Sequence, residues 1–224
     1  MNIGILGGTF NPIHYGHLRI AEEVRERFNL SKVIFIPAGI PPFKVKEGEL
    51  IEAGHRAEMV RLGIRTNPFF EFSDIEIKRQ GISYTVDTLE ALKKEYPVKN
   101  IYFIAGADAI ADLPKWHRPE RILELAEVIV VTRPDFPLLR LQNLLVYGID
   151  REDMKRFING EIDELRHRPF HFIRVSAISI SGSLIRSFIK KQKSIKYLLP
   201  EEVESYIIKN RILGYRWGIN SKEV

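Results

Sequence analysis

The chain has 224 residues, of which 45% are hydrophobic and 28% are charged, so it can build one sizeable core and is not intrinsically disordered. It has no cysteine and no apolar run near the roughly 20 residues that span a bilayer, which excludes disulfides, thiolate metal sites and a transmembrane helix. Its net charge of +5 suits nucleic acid or a triphosphate substrate equally, and no nucleic-acid-binding motif favours the former. We therefore expect a cytoplasmic protein, without a signal peptide, that binds neither nucleic acid nor a membrane.

Short apolar runs alternate with longer amphipathic stretches along the chain. We predict strands over residues 2–6, 32–36, 69–72, 100–105, 127–132 and 171–175. We predict helices over residues 16–28, 54–66, 84–96, 118–125, 183–191 and 201–208. The alternation is typical of βαβ units and predicts a single Rossmann-like α/β domain, with a mostly parallel sheet, helices on both faces, and ligands beyond the carboxyl ends of the strands.

Two stretches fit this alternation poorly. Residues 135–169 are charged and contain Gly148-Ile149-Asp150 and Asn159-Gly160, which predicts an inserted helical excursion within the domain 1–224. Residues 214–224 are expected to form a loosely ordered tail.

The first segment with chemical potential follows the first predicted strand and reads Gly7-Gly8-Thr9-Phe10-Asn11-Pro12-Ile13-His14-Tyr15-Gly16-His17. The two leading glycines let the backbone approach a ligand closely, and the free N–H groups at the start of the next helix suit an anion. His17 falls in the first helical turn and His14 just outside it, so both can reach one phosphate. A zinc pair would need a third ligand that no spacing provides, and a plain pair of capping histidines is disfavoured by the glycine-rich loop.

This segment resembles the signature of the nucleotidyltransferases that carry a His-x-Gly-His motif, and among them the bacterial nicotinate-nucleotide adenylyltransferases. The family often has Asp where this chain has Asn11, which should keep a turn-capping role. The resemblance implies an ATP site that includes Gly7, Gly8, Thr9, Phe10, His14, Gly16 and His17.

A second segment, residues 180–186, reads Ile-Ser-Gly-Ser-Leu-Ile-Arg and resembles the family's Ile-Ser-Ser-Thr-x-Ile-Arg. Ser183 is predicted to cap the following helix, with Arg186 in its first turn. The hydroxyls of Ser181 and Ser183, the helix start and Arg186 together suit the β- and γ-phosphates of ATP. The alternative is an ordinary capped helix with a solvent-facing arginine.

The acceptor substrate is indicated by two further segments. Residues 82–89 match the family's Ser-Tyr-Thr-x-Asp-Thr-Leu, where Ser83 and Thr85 are capping candidates and the N–H groups around Tyr84 can take a nicotinate carboxylate. Residues 113–116 resemble the family's Leu-Pro-x-Trp, so Trp116 can stack on a pyridine ring or can serve as a core anchor.

The remaining candidates lie near predicted strand ends. Gly106 and Asp108 follow the strand 100–105, where Asp108 can hold ribose hydroxyls or order water. The resemblance directs Arg133 to the mononucleotide phosphate. The family's Pro-Pro-His-Lys is Pro-Pro-Phe43-Lys44 here, so the histidine's contribution is absent and Lys44 remains as a phosphate contact.

The resemblance extends from residue 7 to residue 203 and implies transfer of the adenylyl group of ATP to nicotinate mononucleotide, with His14, His17 and Arg186 as catalytic residues. It implies Mg²⁺ carried mainly by the ATP phosphates, with no metal site built from protein ligands alone. Two alternatives stay open: a related enzyme that adenylylates nicotinamide mononucleotide or another phosphate such as phosphopantetheine, and a nucleotide sensor without turnover. Homo-oligomer formation is also left open.

Overall fold

The described part of the chain, residues 1–42, 49–96, 100–132, 137–176 and 178–216 of a computed structural model, contains seven strands in one sheet. They are β1 (Asn2–Gly8), β2 (Lys32–Pro37), β3 (Phe70–Phe72), β4 (Asn100–Gly106), β5 (Glu127–Thr132), β6 (Glu164–His167) and β7 (Phe170–Arg174). Their order in the sheet is β3-β2-β1-β4-β5-β7-β6, and every pair is parallel except β6 with β7. The predicted, mostly parallel sheet is confirmed.

The described helices are α1 (Tyr15–Arg27), α2 (Ala53–Ile64), α3 (Ile75–Lys78), α4 (Thr85–Glu95), α5 (Ala107–Ile110), α6 (Pro119–Leu125), α7 (Arg151–Asn159), α8 (Gly182–Lys190) and α9 (Glu201–Lys209). Shorter 3-10 helices occupy Leu113–Lys115, Leu138–Tyr147 and Ile212–Gly214. The six predicted helices all form, whereas α3 and α5, each of four residues, were too short for a periodic pattern to predict. None of the described helices has the length and apolar content that a membrane crossing requires.

The sheet carries an apolar cluster on each face. Ile3 and Ile5 of β1 pack into one cluster with Leu89 of α4, while Leu6 of the same strand packs into the other with Val24 of α1. Because successive side chains of a strand point to opposite faces, one strand can serve both clusters. Helices therefore cover both faces, as the fold class predicted.

The stretch after β5 differs from its prediction. The 3-10 helix over Leu138–Tyr147 and α7 are helical as expected, but the chain then forms β6, which joins the sheet as an antiparallel edge. Leu165 is the one apolar residue of β6 and packs opposite Phe172, so the strand is too short and too polar to show an alternating pattern. Beyond α9, Tyr215 is fully buried and its hydroxyl donates to the Lys193 carbonyl at 2.8 Å, so this part of the predicted tail is packed on the fold. The rest of the predicted tail, residues 217–224, lies outside the described residues.

The strand order places a crevice between β1 and β4. From β1 the chain continues through β2 to β3 on one side of the sheet, and from β4 it continues to β5 and β7 on the other. In an open parallel sheet, such a reversal of strand order leaves room for a ligand at the carboxyl ends of the two strands. Here β1 ends at Gly8 and β4 ends at Gly106.

Candidate active site

A cavity of about 510 Å³ lies at this crevice, a size typical of small-molecule sites. The predicted ATP residues that line it come from the ends of β1 and β4 and from the first turn of α1. The predicted mononucleotide residues that line it come from the start of α4 and from the 3-10 helix before α6. Together they are Gly7, Gly8, Thr9, His17, Gly106, Asp108, Ser83, Tyr84, Thr85 and Trp116. The structure thus brings most of the two predicted sites into one cavity.

Four polar residues of the cavity wall were not predicted: Glu76, Thr88, Lys115 and His117. Lys115 and His117 flank Trp116, and that adjacency was the available signal for them. Thr88 belongs to the matched 82–89 motif, and that membership was its signal, whereas Glu76 lies in a segment without a motif and gave none. Lys44 and Arg133 lie outside the described residues.

The loop between β1 and α1 is held by a buried aromatic ring. Phe10 has a left-handed backbone conformation, with φ at 46°, and its side chain is buried. Its ring contacts Phe35 of β2 and meets the ring of His17 edge-on, with centroids 5.0 Å apart. The Phe10 side chain therefore packs behind His17 instead of lining the cavity.

The two histidines of the motif stack on each other at the start of α1. Their ring centroids are 3.7 Å apart, and the His14 backbone N–H donates to Nδ1 of His17 at 3.3 Å. Because Nδ1 accepts this bond, the proton of a neutral His17 ring is placed on Nε2. His17 lines the cavity, whereas His14 is 2% exposed and lies behind it. His14 is thus placed to support His17.

Gly16 lies where the histidine motif packs closely against the second predicted phosphate segment, so a side chain there would press on its neighbours. A Cβ added at Gly16 would lie 3.0 Å from the His14 ring and 3.3 Å from the Ile180 carbonyl oxygen. The start of α8 approaches the loop even more closely, since a Cβ at Gly182 would lie 2.7 Å from the Asn11 carbonyl oxygen. The family's serine at this position would not fit this backbone unless the Asn11 loop shifted.

The cap of α8 is Ser181 and not Ser183. Ser181 has the extended backbone of an N-cap, and its Oγ accepts from the Leu184 backbone N–H at 3.2 Å. The helix therefore begins at Gly182, earlier than predicted. Ser183 becomes its second residue, and Arg186, its fifth, lies past the first turn.

Arg186 joins α8 to the phosphate loop. Its Nη1 donates to the Asn11 carbonyl at 2.9 Å, and its Nη2 contacts Ser183 Oγ at 3.2 Å and Glu49 Oε2 at 3.4 Å. Glu49 also pairs with Lys190 at 2.7 Å, and the hydrogen bond from Lys190, helped by Arg186, lowers the pKa of the Glu49 carboxyl. Ser181, Ser183 and Arg186 thus border the loop without lining the cavity itself.

The sequence predicted that Asn11 caps its own turn, and this is wrong. Its side chain accepts from the Ile51 backbone N–H at 3.0 Å and donates to the Glu49 carbonyl at 2.8 Å. The groups it satisfies belong to the segment before α2 and not to its own turn.

Neither Ser83 nor Thr85 caps α4. The N-cap is Tyr84, Thr85 is the first helical residue, and Ser83 Oγ instead accepts from the Gly39 backbone N–H at 2.9 Å. The Tyr84 N–H donates to the Ile82 carbonyl, so among these backbone donors Thr85 is the better placed for a ligand.

Aromatic rings surround the start of α4. The Tyr84 and His117 rings lie 4.5 Å apart, and Trp116 meets Phe103 edge-on at 6.2 Å. Trp116 is half-buried and packs partly against the core while lining the cavity. Trp116 therefore serves both as a core anchor and as part of the cavity wall.

Comparison with known proteins agrees with this geometry. The model of the cytidylyltransferase-like family matches residues 5–188. This chain is 45% identical to a probable nicotinate-nucleotide adenylyltransferase of Desulfitobacterium hafniense, in a match that covers 92% of this chain and 93% of the relative. It is 46% identical to a probable nicotinate-nucleotide adenylyltransferase of Moorella thermoacetica, in a match that covers 92% of this chain and 88% of the relative. The structure of Plasmodium falciparum nicotinic acid mononucleotide adenylyltransferase complexed with NaAD shares the fold, with a TM-score of 0.72, 22% identity and 96% and 98% coverage. This chain therefore belongs to the nicotinate-nucleotide adenylyltransferases, within the cytidylyltransferase-like family.

Proposed function

We propose that this chain transfers the adenylyl group of ATP to nicotinate mononucleotide, giving nicotinate adenine dinucleotide and pyrophosphate. The observation that carries the proposal is the single cavity in which His17 and the phosphate loop face the start of α4 and Trp116. A transfer between two bound substrates requires both sites to open onto one space. Membership in the family supports the same reaction.

The nucleophile in this reaction is supplied by the substrate. A phosphate oxygen of the mononucleotide attacks the α-phosphorus of ATP, the new P–O bond forms, and the bond to the β-phosphate breaks with release of pyrophosphate. The protein contributes position and charge stabilisation. The Nε2–H of His17 donates to an α-phosphate oxygen, and His14 holds the ring in place. The Arg186 guanidinium gives up its contact with Glu49 and binds the leaving β- and γ-phosphates instead.

The acceptor is held at the start of α4. The Thr85 N–H, at the positive end of the helix, suits the nicotinate carboxylate, and Trp116 stacks on the pyridine ring. Asp108 binds ribose hydroxyls. Lys44 and Arg133 remain sequence-based candidates for the mononucleotide phosphate.

Magnesium enters as part of the ATP substrate. In the part of the chain that the structure describes, no three His, Asp or Glu side chains are grouped as a metal ion requires. We expect Mg²⁺ to take most of its ligands from phosphate oxygens and water, because these are the ligands that it prefers.

Pyrophosphate release tests the proposal. ATP is supplied alone, or with nicotinate mononucleotide, nicotinamide mononucleotide or phosphopantetheine. We expect release to depend on a mononucleotide and to be fastest with the nicotinate form. Release only with phosphopantetheine would show a different adenylyltransferase, and ATP binding without release in any mixture would show a sensor.

Trp116→Ala should weaken the use of both pyridine mononucleotides by similar factors. The indole stacks on the ring, which the two substrates share, so the loss should be about 1–3 kcal/mol in transition-state binding. The measurement is kcat/KM for each mononucleotide, with the KM for ATP as internal control. A loss of kcat/KM with only one of the two mononucleotides would show that Trp116 contacts the carboxylate or carboxamide group instead of the ring.

Thr85→Pro should reduce discrimination between the acid and the amide. Proline removes the N–H at this position but is tolerated at the first residue of a helix, and Tyr84 already has the extended backbone that precedes proline. Loss of one hydrogen bond to a carboxylate costs about 1.5–3 kcal/mol, so kcat/KM for the acid should fall more than for the amide. Arg151→Pro, at the exposed first residue of α7, is the matched control. An equal loss for both substrates would remove Thr85 from the carboxylate site.

A further inference from the structure

The arginine at position 56 in α2 is fully buried and donates to three backbone carbonyls. Its Nε bonds to the Ile51 oxygen at 2.8 Å, its Nη1 to the Thr9 oxygen at 2.8 Å and its Nη2 to the Gly39 oxygen at 3.0 Å. A planar guanidinium with donors in a fixed fork holds three acceptors in one defined arrangement. Arg56 does not itself line the cavity.

The three carbonyls belong to three different segments. Thr9 lies in the phosphate loop and lines the cavity, Gly39 follows β2, and Ile51 precedes α2. Ile51 is also bonded through its N–H to Asn11, so Arg56 and Asn11 hold the same segment from two sides. Arg56 therefore fixes the phosphate loop relative to the end of β2.

Gly39 extends this link to the acceptor half of the cavity. Its N–H donates to Ser83 Oγ, and a Cβ at Gly39 would lie 2.5 Å from the Glu76 carbonyl oxygen, so the backbones are in close contact. Ser83 is also bonded to the buried Glu76 carboxylate, which accepts from Thr88 Oγ1 at 2.7 Å. A continuous chain of hydrogen bonds thus runs from the phosphate loop to the start of α4.

Arg56 and Glu76 are the two ionisable groups in this chain of hydrogen bonds, and both are buried. Burial lowers the pKa of Arg56, which the charge of Glu76 opposes; burial raises the pKa of Glu76, which the hydrogen bonds from Thr88 and Ser83 and the charges of Arg79 and Arg56 oppose. Removal of the Arg56 guanidinium would take one compensating charge from Glu76 and leave three backbone carbonyls without their donor, which is destabilising. A test of Arg56 should therefore keep the positive charge and change only the shape of the donor group.

We infer that Arg56 is a positioning residue for adenylyl transfer, which sets the distance between the phosphate loop and the 83–85 segment. The inference rests on the proposed function. Each substrate binds mainly to its own half of the cavity, so a change in the spacing between the halves misaligns the attacking oxygen with the α-phosphorus. Such a misalignment slows the chemical step while it leaves the affinity for each substrate largely intact.

Arg56→Lys is the variant that tests this, with Arg61→Lys as control. Arg61 lies on the same helix but is half-exposed and pairs with Glu58 and Asp74. With both substrates saturating, kcat of Arg56→Lys should fall about ten- to a hundredfold, because small displacements of reacting groups have effects of this size. Both KM values should stay within about threefold of wild type, because the lost alignment stabilises the transition state and not the bound substrates. A folded Arg56→Lys with kcat within about twofold of wild type would overturn the inference.

Amide hydrogen exchange of the unliganded protein gives a readout that does not depend on activity. Arg56→Lys should speed exchange around both Thr9 and Gly39, and Arg61→Lys around neither; unchanged exchange at the two sites would overturn the inference.

If Arg56→Lys does not fold, Ser83→Ala breaks the same link from the acceptor side and should show the same fall in kcat at similar KM values. A wild-type protein that forms no dinucleotide would overturn the proposed reaction instead, and the exchange result alone would then decide whether Arg56 fixes the loops.

Discussion

His17→Ala is expected to lower kcat by about 10²–10³ while ATP binding largely survives, because one preorganised donor to developing charge contributes this much. The structure gives the reason for choosing this residue. Nδ1 of His17 is engaged by the His14 backbone, Phe10 supports the ring edge, and the side chain lines the cavity at the start of α1. The measurement combines kcat with the dissociation constant for ATP on the folded variant.

His55→Ala is the matched control for this result. His55 lies on α2, where its Nδ1 is hydrogen-bonded to the Tyr206 hydroxyl at 2.8 Å, and it does not line the cavity. Its loss should leave kcat unchanged. A folded His17→Ala protein that keeps more than about half of wild-type kcat would show that His17 is not the α-phosphate donor.

Arg186→Ala is expected to lower kcat/KM for ATP by about 10²–10³, since a charge-assisted, bidentate contact to phosphate is lost. Arg186→Lys should restore only part of the loss, because lysine keeps the charge but not the fork that now spans Asn11, Ser183 and Glu49. The measurement is kcat/KM for ATP at saturating mononucleotide.

Lys190→Ala distinguishes the proposed contact of Arg186 with phosphate from the ion pairs that Glu49 makes with both cations. Lys190 lies one helical turn beyond Arg186 and shares Glu49 with it, but its side chain is half-exposed, whereas Arg186 also donates to the Asn11 carbonyl of the phosphate loop. Its loss should change kcat/KM for ATP much less. Equal effects of Arg186→Ala and Lys190→Ala would mean that residues 180–186 form an ordinary capped helix held by Glu49.

Long elements were predictable from the sequence because their hydrophobic period is visible within one segment. The six predicted strands and six predicted helices form within about two residues of their expected ends. β6 was missed because only Leu165 of its four residues faces the core. The cap of α8 was misplaced because Ser181 and Ser183 are chemically alike, and the extended backbone of Ser181 and its hydrogen bond from Leu184 show where the helix begins.

The candidate site was predictable where a motif carries it and not where tertiary contacts build it. His17, Trp116 and the 83–85 segment were found from local sequence, and the structure places them in one cavity. Phe10 and His14 belong to the same motif, yet only the fold shows that their side chains lie behind the cavity wall. Arg56 looks like an ordinary charged residue of an amphipathic helix, since the carbonyls it binds are as far as 47 positions away along the chain.

The preference of the wild-type chain for the acid is measured as the ratio of kcat/KM for nicotinate mononucleotide to kcat/KM for nicotinamide mononucleotide, with ATP as the other substrate. The two acceptors differ only in a carboxylate against a carboxamide, and the helix start at Thr85 favours the anion. We expect nicotinate adenine dinucleotide as the main product and a ratio of about five or more, since a hydrogen bond to a charged group exceeds its neutral counterpart by roughly 1 kcal/mol or more. A ratio near one, or one that favours the amide, would contradict this expectation.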